Sequence, residues 1–436
     1  MSKENVITAI DIGSDKVATL IASYGGDSPQ LRILGFSAVS SMGIKKSAIV
    51  NLESVLGSIE KSLNSAERMA GMSVHSAYVL VSGAHVTSKN SKGVVAVANP
   101  DQEITQTDVD RVIEAARAIS VPSESEVIHV VPRFFKVDSQ AGIKDPIGMT
   151  GVRLESEAHI ITGLGTTLKN FRKCLNDLGI EVAGFVFAAL AAAEVTLTET
   201  EKELGAVALD IGADSSSFCV YVDGALELSG SLPVGARHIT QDIALGCRID
   251  RENAEKIKLS LSDSLDAVLK PMPGESKKEF TLRKKAADVI DLDKYGIVGV
   301  KDELTRSFVI NRIMYPRIRE IITLLGERLD RENLFSEVPA GLIISGGGAQ
   351  TIELIEIAEK VLGLPARVGY PPDLEGVISE IKTPSFSASV GLLVYGQRQG
   401  AGEAVSHKLK VSEVFKDFKL KNTGKKIVKF LQNLLP

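Results

Sequence analysis

Cysteine is scarce in this chain. Only Cys174, Cys219 and Cys247 occur, scattered and odd in number. They make neither a disulfide framework nor a spaced zinc site, and they fit a reducing cytosol. The six histidines, at 75, 85, 129, 159, 238 and 407, lack metal spacing and read as structural. No Ser-His-Asp or Cys-His arrangement follows from spacing. Long hydrophobic runs are missing too. The longest, Val182 to Ala193, ends at Glu194 and is too short to span a bilayer. The amino terminus runs straight into a short strand, so no signal peptide is expected. These absences lead us to expect a soluble or peripheral protein rather than an integral one. Excess positive charge is also absent: 50 basic residues face 55 acidic ones, a net charge of −5, which gives no global argument for nucleic-acid binding. With 436 residues, two or more domains with real cores are affordable.

What is present is an acidic glycine turn that occurs twice. Val6-Ile7-Thr8-Ala9-Ile10-Asp11-Ile12-Gly13-Ser14 is an apolar strand ending in Asp-Ile-Gly. Ala206-Val207-Ala208-Leu209-Asp210-Ile211-Gly212-Ala213-Asp214-Ser215-Ser216 repeats the unit. Two copies suggest two related half-molecules across a cleft. There, backbone N–H groups at a glycine turn hold phosphate oxygens, and two carboxylates hold magnesium. A lone Asp after a strand is more often a turn cap. Two at matching positions favour Asp11 and Asp210 sharing a metal, through water. A third glycine turn, Gly341-Leu342-Ile343-Ile344-Ser345-Gly346-Gly347-Gly348-Ala349, is weak alone. Without a Cβ, its glycines let a ligand lie against the backbone. After two acidic turns, its natural role is to seat a nucleoside.

The rest of the chain reads as mixed α/β. Residues 6–23 form a strand, a tight turn and a second strand, and 31–40 a third. Asn51 to Met69 is helical, 74–81 strand-like, and Thr105 opens a helix to about Ile119. Residues 127–137 and 153–162 are strand-like, and Thr166 to Leu178 is a helix ended by Gly179. Strands at 206–210 and 217–222 meet a hairpin at Asp223-Gly224. Residues 237–262 are mostly helical, and 263–305 charged, irregular and expected to be the mobile part. Phe308 to Leu329 is a long helix that Pro316 kinks or divides. A helix from Ile352 to Val361 follows, and 397–423 read as a linker.

The last residues carry a second signal. On a wheel of about 100° per residue, Ile427, Val428, Phe430, Leu431, Leu434 and Leu435 cover one arc. Lys425, Lys426, Lys429, Gln432 and Asn433 cover the other. From Lys416 to Lys429 there are six lysines and one acid, Asp417. A terminal helix docked on its own domain is one reading. The long polar segment before it favours an anionic membrane surface instead. Ordering costs about 1–2 kcal/mol per residue, against roughly 1.5–3 kcal/mol for each apolar side chain fully buried. One tail therefore binds weakly, and several on a polymer bind well through effective concentration. The tail thus implies self-assembly as well as a membrane.

At this point the sequence resembles the FtsA family, bacterial actin-like proteins that link the division ring to the membrane. The paired Asp-Ile-Gly turns look like the phosphate motifs of the actin superfamily, and Ser345-Gly-Gly-Gly-Ala349 like its adenosine motif. More specific are His129-Val-Val-Pro132, Gly142-Ile-Lys-Asp-Pro-Ile-Gly-Met149, Gly151-Val-Arg-Leu154 and Ala158-His-Ile160, which are similar to the family's inserted subdomain. The resemblance covers about residues 6–396 and the tail. It implies an actin/ribonuclease-H-like two-lobed ATPase fold with an inserted α+β subdomain. The implied divisions are 1–83, an insert at 84–163, 164–204, 205–240, 241–306, 307–380, 381–396, a linker at 397–423 and the targeting helix at 424–436.

The resemblance also implies ATP and magnesium. Asp11, Gly13, Ser14 and Lys16 would meet phosphate from one side, and Asp210, Gly212 and Ser215 from the other. Glu255 and Lys258, three apart on a helix, are otherwise a solvated ion pair. The family assigns them to ribose and adenine, with Gly346, Gly347 and Gly348 along the nucleoside. Arg306, Asn311 and Arg312 would meet the FtsZ tail. Implied partners are that tail, further copies of the chain, later division proteins and the inner face of the cell membrane at the division site.

Two departures stand out. The second phosphate motif usually reads Asp-Ile-Gly-Gly-Gly-Thr, whereas Ala213 and Asp214 here add a Cβ and a charge. A water-positioning Gln is replaced by Ala188 in our alignment, so hydrolysis should be slow at most, with no catalytic residue assigned. Alternative readings are an FtsA-related pilus-assembly adaptor, which would generally lack the amphipathic tail, and a small-molecule kinase of the same fold. No substrate-pocket motif supports the kinase.

Overall fold

The computed structural model describes residues 4–25, 28–99, 101, 103–118, 121–263, 272–297, 303–376 and 379–406. The expected membrane helix, 424–436, lies outside them.

The first lobe is built on β1 (Glu4–Ile12), β2 (Lys16–Gly25) and β3 (Ser28–Ser40). A two-residue hairpin of β4 (Ile44–Lys45) and β5 (Ala48–Ile49) leads to α1 (Leu52–Ala70), then β6 (Ser76–Val81). Asn51 caps α1 by accepting the Ser54 N–H, and Val55, Ile59, Leu63 and Ala66 form its buried face. The chain then leaves the lobe through β7 (Thr87–Ala96), α2 (Gln106–Arg117), β8 (Ser125–Val137), β9 (Gln140–Ile143) and β10 (Arg153–Leu164). It returns as α3 (Gly165–Asp177), β11 (Glu181–Phe187), α4 (Ala188–Thr196) and α5 (Glu199–Leu204).

The second lobe opens with β12 (Ala206–Ile211), β13 (Ser216–Val222) and β14 (Ala225–Leu232). Helices α6 (Ala236–Cys247), α7 (Arg251–Asp263) and α8 (Lys277–Asp288) follow. A single turn, α9 (Arg306–Phe308), runs into α10 (Tyr315–Arg331). The lobe closes with β15 (Gly341–Ser345), α11 (Leu354–Leu362) and β16 (Ala366–Val368), and α12 (Ser387–Ser406) comes last.

The two lobes carry one topology. Their five-stranded sheets run β11-β6-β1-β2-β3 and β16-β15-β12-β13-β14. In each, the Asp-Ile-Gly strand is central, antiparallel to its hairpin partner and parallel to the strand on its other side. The insert is a separate sheet, β7-β10-β8-β9, with α2 packed on it over Val109, Val112, Phe135 and Leu154. Alanine-rich α4 lies between the lobes: Ala189 and Ala193 share a buried cluster with Ala208 and Cys219 of the second sheet.

Three expectations change. Residues 263–305 are not uniformly irregular. Ser276 and Glu279 form a capping box that starts α8, and no residue of that helix is buried, so no apolar period announces it. Phe308 to Leu329 is not one α-helix. Val309–Met314 is a π-helical run, and α10 begins beyond it with Pro316 in its first turn. Proline lacks the N–H that a continuous ladder needs but is tolerated at a helix start. Residues 397–406 are not linker but continue α12, and 407–423 lie outside the described residues.

Candidate functional site

The two acidic turns are built alike. Gly13 N–H donates to the Lys16 carbonyl at 3.0 Å, and Gly212 N–H to the Ser215 carbonyl at 3.0 Å. Each aspartate is the penultimate residue of its strand, Asp11 opposite Ala18 and Asp210 opposite Ser217. Between the turns lies a cavity of about 340 Å³. Asp11, Gly13, Ser14, Lys16, Asp210, Gly212, Ser215, Glu255, Lys258, Gly346 and Gly347 all line it. Gly348 does not. Its N–H donates to the Ile211 carbonyl at 2.9 Å, and an added Cβ would meet Ile211 Cγ2 at 2.4 Å. Gly348 therefore serves the packing of the third turn. Gly346 has φ +85° and stands against Ile211 O and Asp210, a place that only glycine fills without strain.

Burial governs the charges. It pushes the Asp210 carboxyl up to about 6, and the Asp11 charge adds to this, while Ser345 and Lys16 pull the other way. Burial raises Asp11 too, against Lys16 and the Ser389 hydroxyl, which donates to Oδ2 at 3.0 Å. Lys16 is lowered by burial and held up by Asp11, Asp15 and Asp210. Its ammonium donates to the Ser385 carbonyl at 2.7 Å and lies 3.5 Å from the centre of the Phe386 ring. Two buried carboxylates with one lysine suit a small hard cation. No cluster of three or more acidic, His or Cys side chains surrounds a metal position among the described residues. Magnesium keeps waters and takes one or two carboxylates plus phosphate oxygens, and Asp11 and Asp210, which both line the cavity, are carboxylates of that kind.

At the other end, Lys258 is buried and pairs with Glu255 at 2.8 Å and with the Thr240 hydroxyl at 3.0 Å. Thr240 also donates to Glu255. The pair is therefore fixed against the cavity, with the lysine end buried and the Glu255 side chain 42% exposed. Ala188 begins α4 and lines the cavity with only a methyl group.

Sequence reasoning missed several lining residues: Asp15, Ser47, Ser82, Arg237, Leu259 and Ser385. Arg237 and Ser47 carry no local signal, because their partners are set by packing: Arg237 bonds Asp214 in its own lobe and the Ser14 carbonyl in the other, and Ser47 meets Ser14 in its own lobe and Ser215 in the other. Of the three residues expected at a partner site, Asn311 and Arg312 line a surface depression with Ser307 and Phe308. Arg306 is not among its lining residues. Phe308 is 44% exposed there.

Comparison with known proteins agrees with this architecture. Residues 83–162 match the model of the SHS2 domain inserted in FtsA, and 207–391 that of cell division protein FtsA. The chain is 33% identical to cell division protein FtsA of Pseudomonas aeruginosa over 404 residues, covering 92% of each chain. Among solved structures, a PilM-PilN type IV pilus biogenesis complex matches with a TM-score of 0.59 at 14% identity, over 90% of this chain and 98% of that one. MreB 5 of Spiroplasma citri bound to AMPPNP matches with a TM-score of 0.50 at 13% identity, over 93% and 99%. With the insert, the doubled sheets and these matches in place, the chain belongs to the actin-like FtsA family of bacterial cell division proteins.

Proposed function

We propose that the chain binds ATP with magnesium, polymerises, and tethers the FtsZ ring to the inner face of the cell membrane. One observation carries the nucleotide reading: matched Asp-Ile-Gly turns from two lobes close on one cavity that both carboxylates line. In this reading Asp11 and Asp210 hold the metal through water, and the metal, when bound, neutralises phosphate charge. Gly13, Ser14 and Lys16 meet phosphate from one lobe, and Gly212 and Ser215 from the other. Gly346 and Gly347 give the nucleoside a bare backbone face. Glu255 and Lys258, held together by Thr240, present a carboxylate and an ammonium to the sugar and base. Ala188 offers nothing to orient an attacking water, so the chain is at most a slow ATPase.

No described helix is long and apolar enough to cross a membrane. Attachment is assigned to the amphipathic segment 424–436, which separates apolar and lysine faces in the sequence. The depression at Phe308, Asn311 and Arg312 suits a short peptide with apolar and acidic side chains, and we assign the FtsZ tail to it. The insert is assigned to contacts between copies and to later division proteins.

Titration calorimetry of the full chain with ATP tests the cleft. Uptake that requires magnesium is expected, and absence of uptake with excess magnesium overturns the reading. Sedimentation with anionic liposomes tests the anchor. The full chain should pellet while a chain cut after Thr423 stays in solution, and equal behaviour removes the anchor.

A further inference from the structure

The second acidic turn departs from a glycine-rich run at Ala213-Asp214, and the fold supplies that departure with a partner. Arg237 stands near the start of α6, its own N–H on the Ala213 carbonyl at 2.9 Å. Its guanidinium donates to Asp214 Oδ1 at 2.7 Å. The same group crosses the cleft to the Ser14 carbonyl at 2.9 Å and to Asp15 at 3.4 Å. Asp214 Oδ2 in turn accepts the Lys46 N–H of the first lobe at 2.8 Å. Beside it, the Ser47 and Ser215 hydroxyls lie 3.1 Å apart, and the Ser47 N–H donates to Ser14 Oγ at 3.3 Å. Lys46 and Ser47 form the turn between β4 and β5, with φ of 50° and 61°. Non-glycine residues keep that conformation where their surroundings over-determine it, as at switch regions. Here the two-residue hairpin itself requires positive φ at both positions, and the Asp214 and Ser215 contacts tie that turn to the second lobe.

The charges explain what this bridge is for. Asp214 alone would repel a polyphosphate at the turn meant to receive it. Arg237 neutralises it and lines the same cavity. Arginine offers five donors in a fixed fork, a geometry suited to phosphate oxygens as well as carboxylates. We propose that Arg237, poised by Asp214, is the residue that distinguishes a nucleoside triphosphate from a diphosphate in this cleft. A terminal phosphate between the two turns competes with Asp214 and the Ser14 carbonyl for the guanidinium. A diphosphate leaves the bridge as it stands. This rests on the nucleotide reading above.

Calorimetry of the full chain with ATP and with ADP, each with excess magnesium, tests it. Arg237→Ala should lower the ratio of ATP to ADP affinity about tenfold or more, the worth of a charge-assisted hydrogen bond. It leaves the Asp214 carboxylate unpaired against the phosphates, so adding Asp214→Ala in the same chain should restore part of the loss. A merely structural role predicts no such rescue. Asp214→Ala alone frees the guanidinium and should raise the ratio. Arg237→Ala with a wild-type ratio, or with equal losses for both nucleotides, overturns the proposal. If Arg237→Ala fails to fold, Asp214→Ala decides, and an unchanged ratio overturns it. A wild-type chain that takes up neither nucleotide overturns the parent reading and this one together, an outcome distinct from the others.

Discussion

His129 and His159 are held neutral inside the fold. His129 Nε2 accepts the Phe187 N–H at 3.0 Å, and burial pulls its pKa down to about 4. His159 Nδ1 meets Asn90 Oδ1 at 2.6 Å, and its Nε2 meets the Ser229 hydroxyl at 2.8 Å. An amide oxygen only accepts, so Nδ1 carries the proton and Nε2 accepts from Ser229. Burial first, then Arg133 and His129, lower His159 to about 4. Unfolded, both titrate near 6.5. Between those values the unfolded chain binds more protons, so their stabilisation is full above pH 6.5 and lost as pH falls toward 4. Asp210, raised to about 6, works in the opposite sense. The histidine share is therefore read as a difference between proteins. Urea unfolding at pH 7.5 and pH 5 should show wild type losing about 2 kcal/mol more than His159→Gln over that interval. Equal losses count against a neutral buried His159.

At the scale of elements, the crossing of α4 and α12 decides where the cleft's side chains lie. Gly391 of α12 faces α4 so closely that an added Cβ would sit 1.8 Å from the Ala191 carbonyl oxygen. The same helix carries Ser389 to Asp11, and the turn before it brings Ser385 to Lys16. Backbone cannot yield as a flexible side chain can. Gly391→Ala should therefore cost about 1–3 kcal/mol in urea unfolding and weaken nucleotide uptake by displacing Ser389. Wild-type values for both measurements would show that the crossing has slack. The π-helical run at Val309–Met314 is a second device of this kind. It precedes the proline-containing start of α10 and presents Asn311 and Arg312 beside Phe308. Such runs are rare and frequent at functional sites.

For the whole molecule, the insert is more than an appendage of the first lobe. It docks on β14 of the second. Ser88 donates to the Ser229 carbonyl at 2.7 Å, and Asn90 to the Glu227 carbonyl at 3.1 Å. Arg133, almost buried, pairs with Glu157 at 3.2 Å and with Glu227. Removing Glu227 leaves a desolvated guanidinium with one partner fewer, a costly arrangement. Hydrogen exchange should then quicken in 87–96 and 153–164 of Glu227→Ala while α1 keeps its protection. Uniform acceleration or none would show that the insert's order does not depend on that docking.

The fold class, the doubled acidic turn and the main helices were legible in the sequence, because strand alternation, helical period and Asp-Ile-Gly chemistry are local properties. The residues Asp11, Asp210, Lys16, Glu255 and Lys258 were identified from such signals together with the family resemblance, and they converge on one cavity. Polar β7 was not legible. Its run Thr87-Ser-Lys-Asn-Ser-Lys is held as a strand by pairing along β10. Arg237 and Ser47 were invisible for the same reason, since tertiary packing sets their partners: Arg237 joins Asp214 of its own lobe to the Ser14 carbonyl across the cleft, and Ser47 joins Ser14 of its own lobe to Ser215 of the other. A sequence determines which groups a segment can offer and at what local period. Only tertiary structure decided which carboxylate meets which cation, because burial and distance, which set charge and hydrogen bonding, exist only once distant segments have packed.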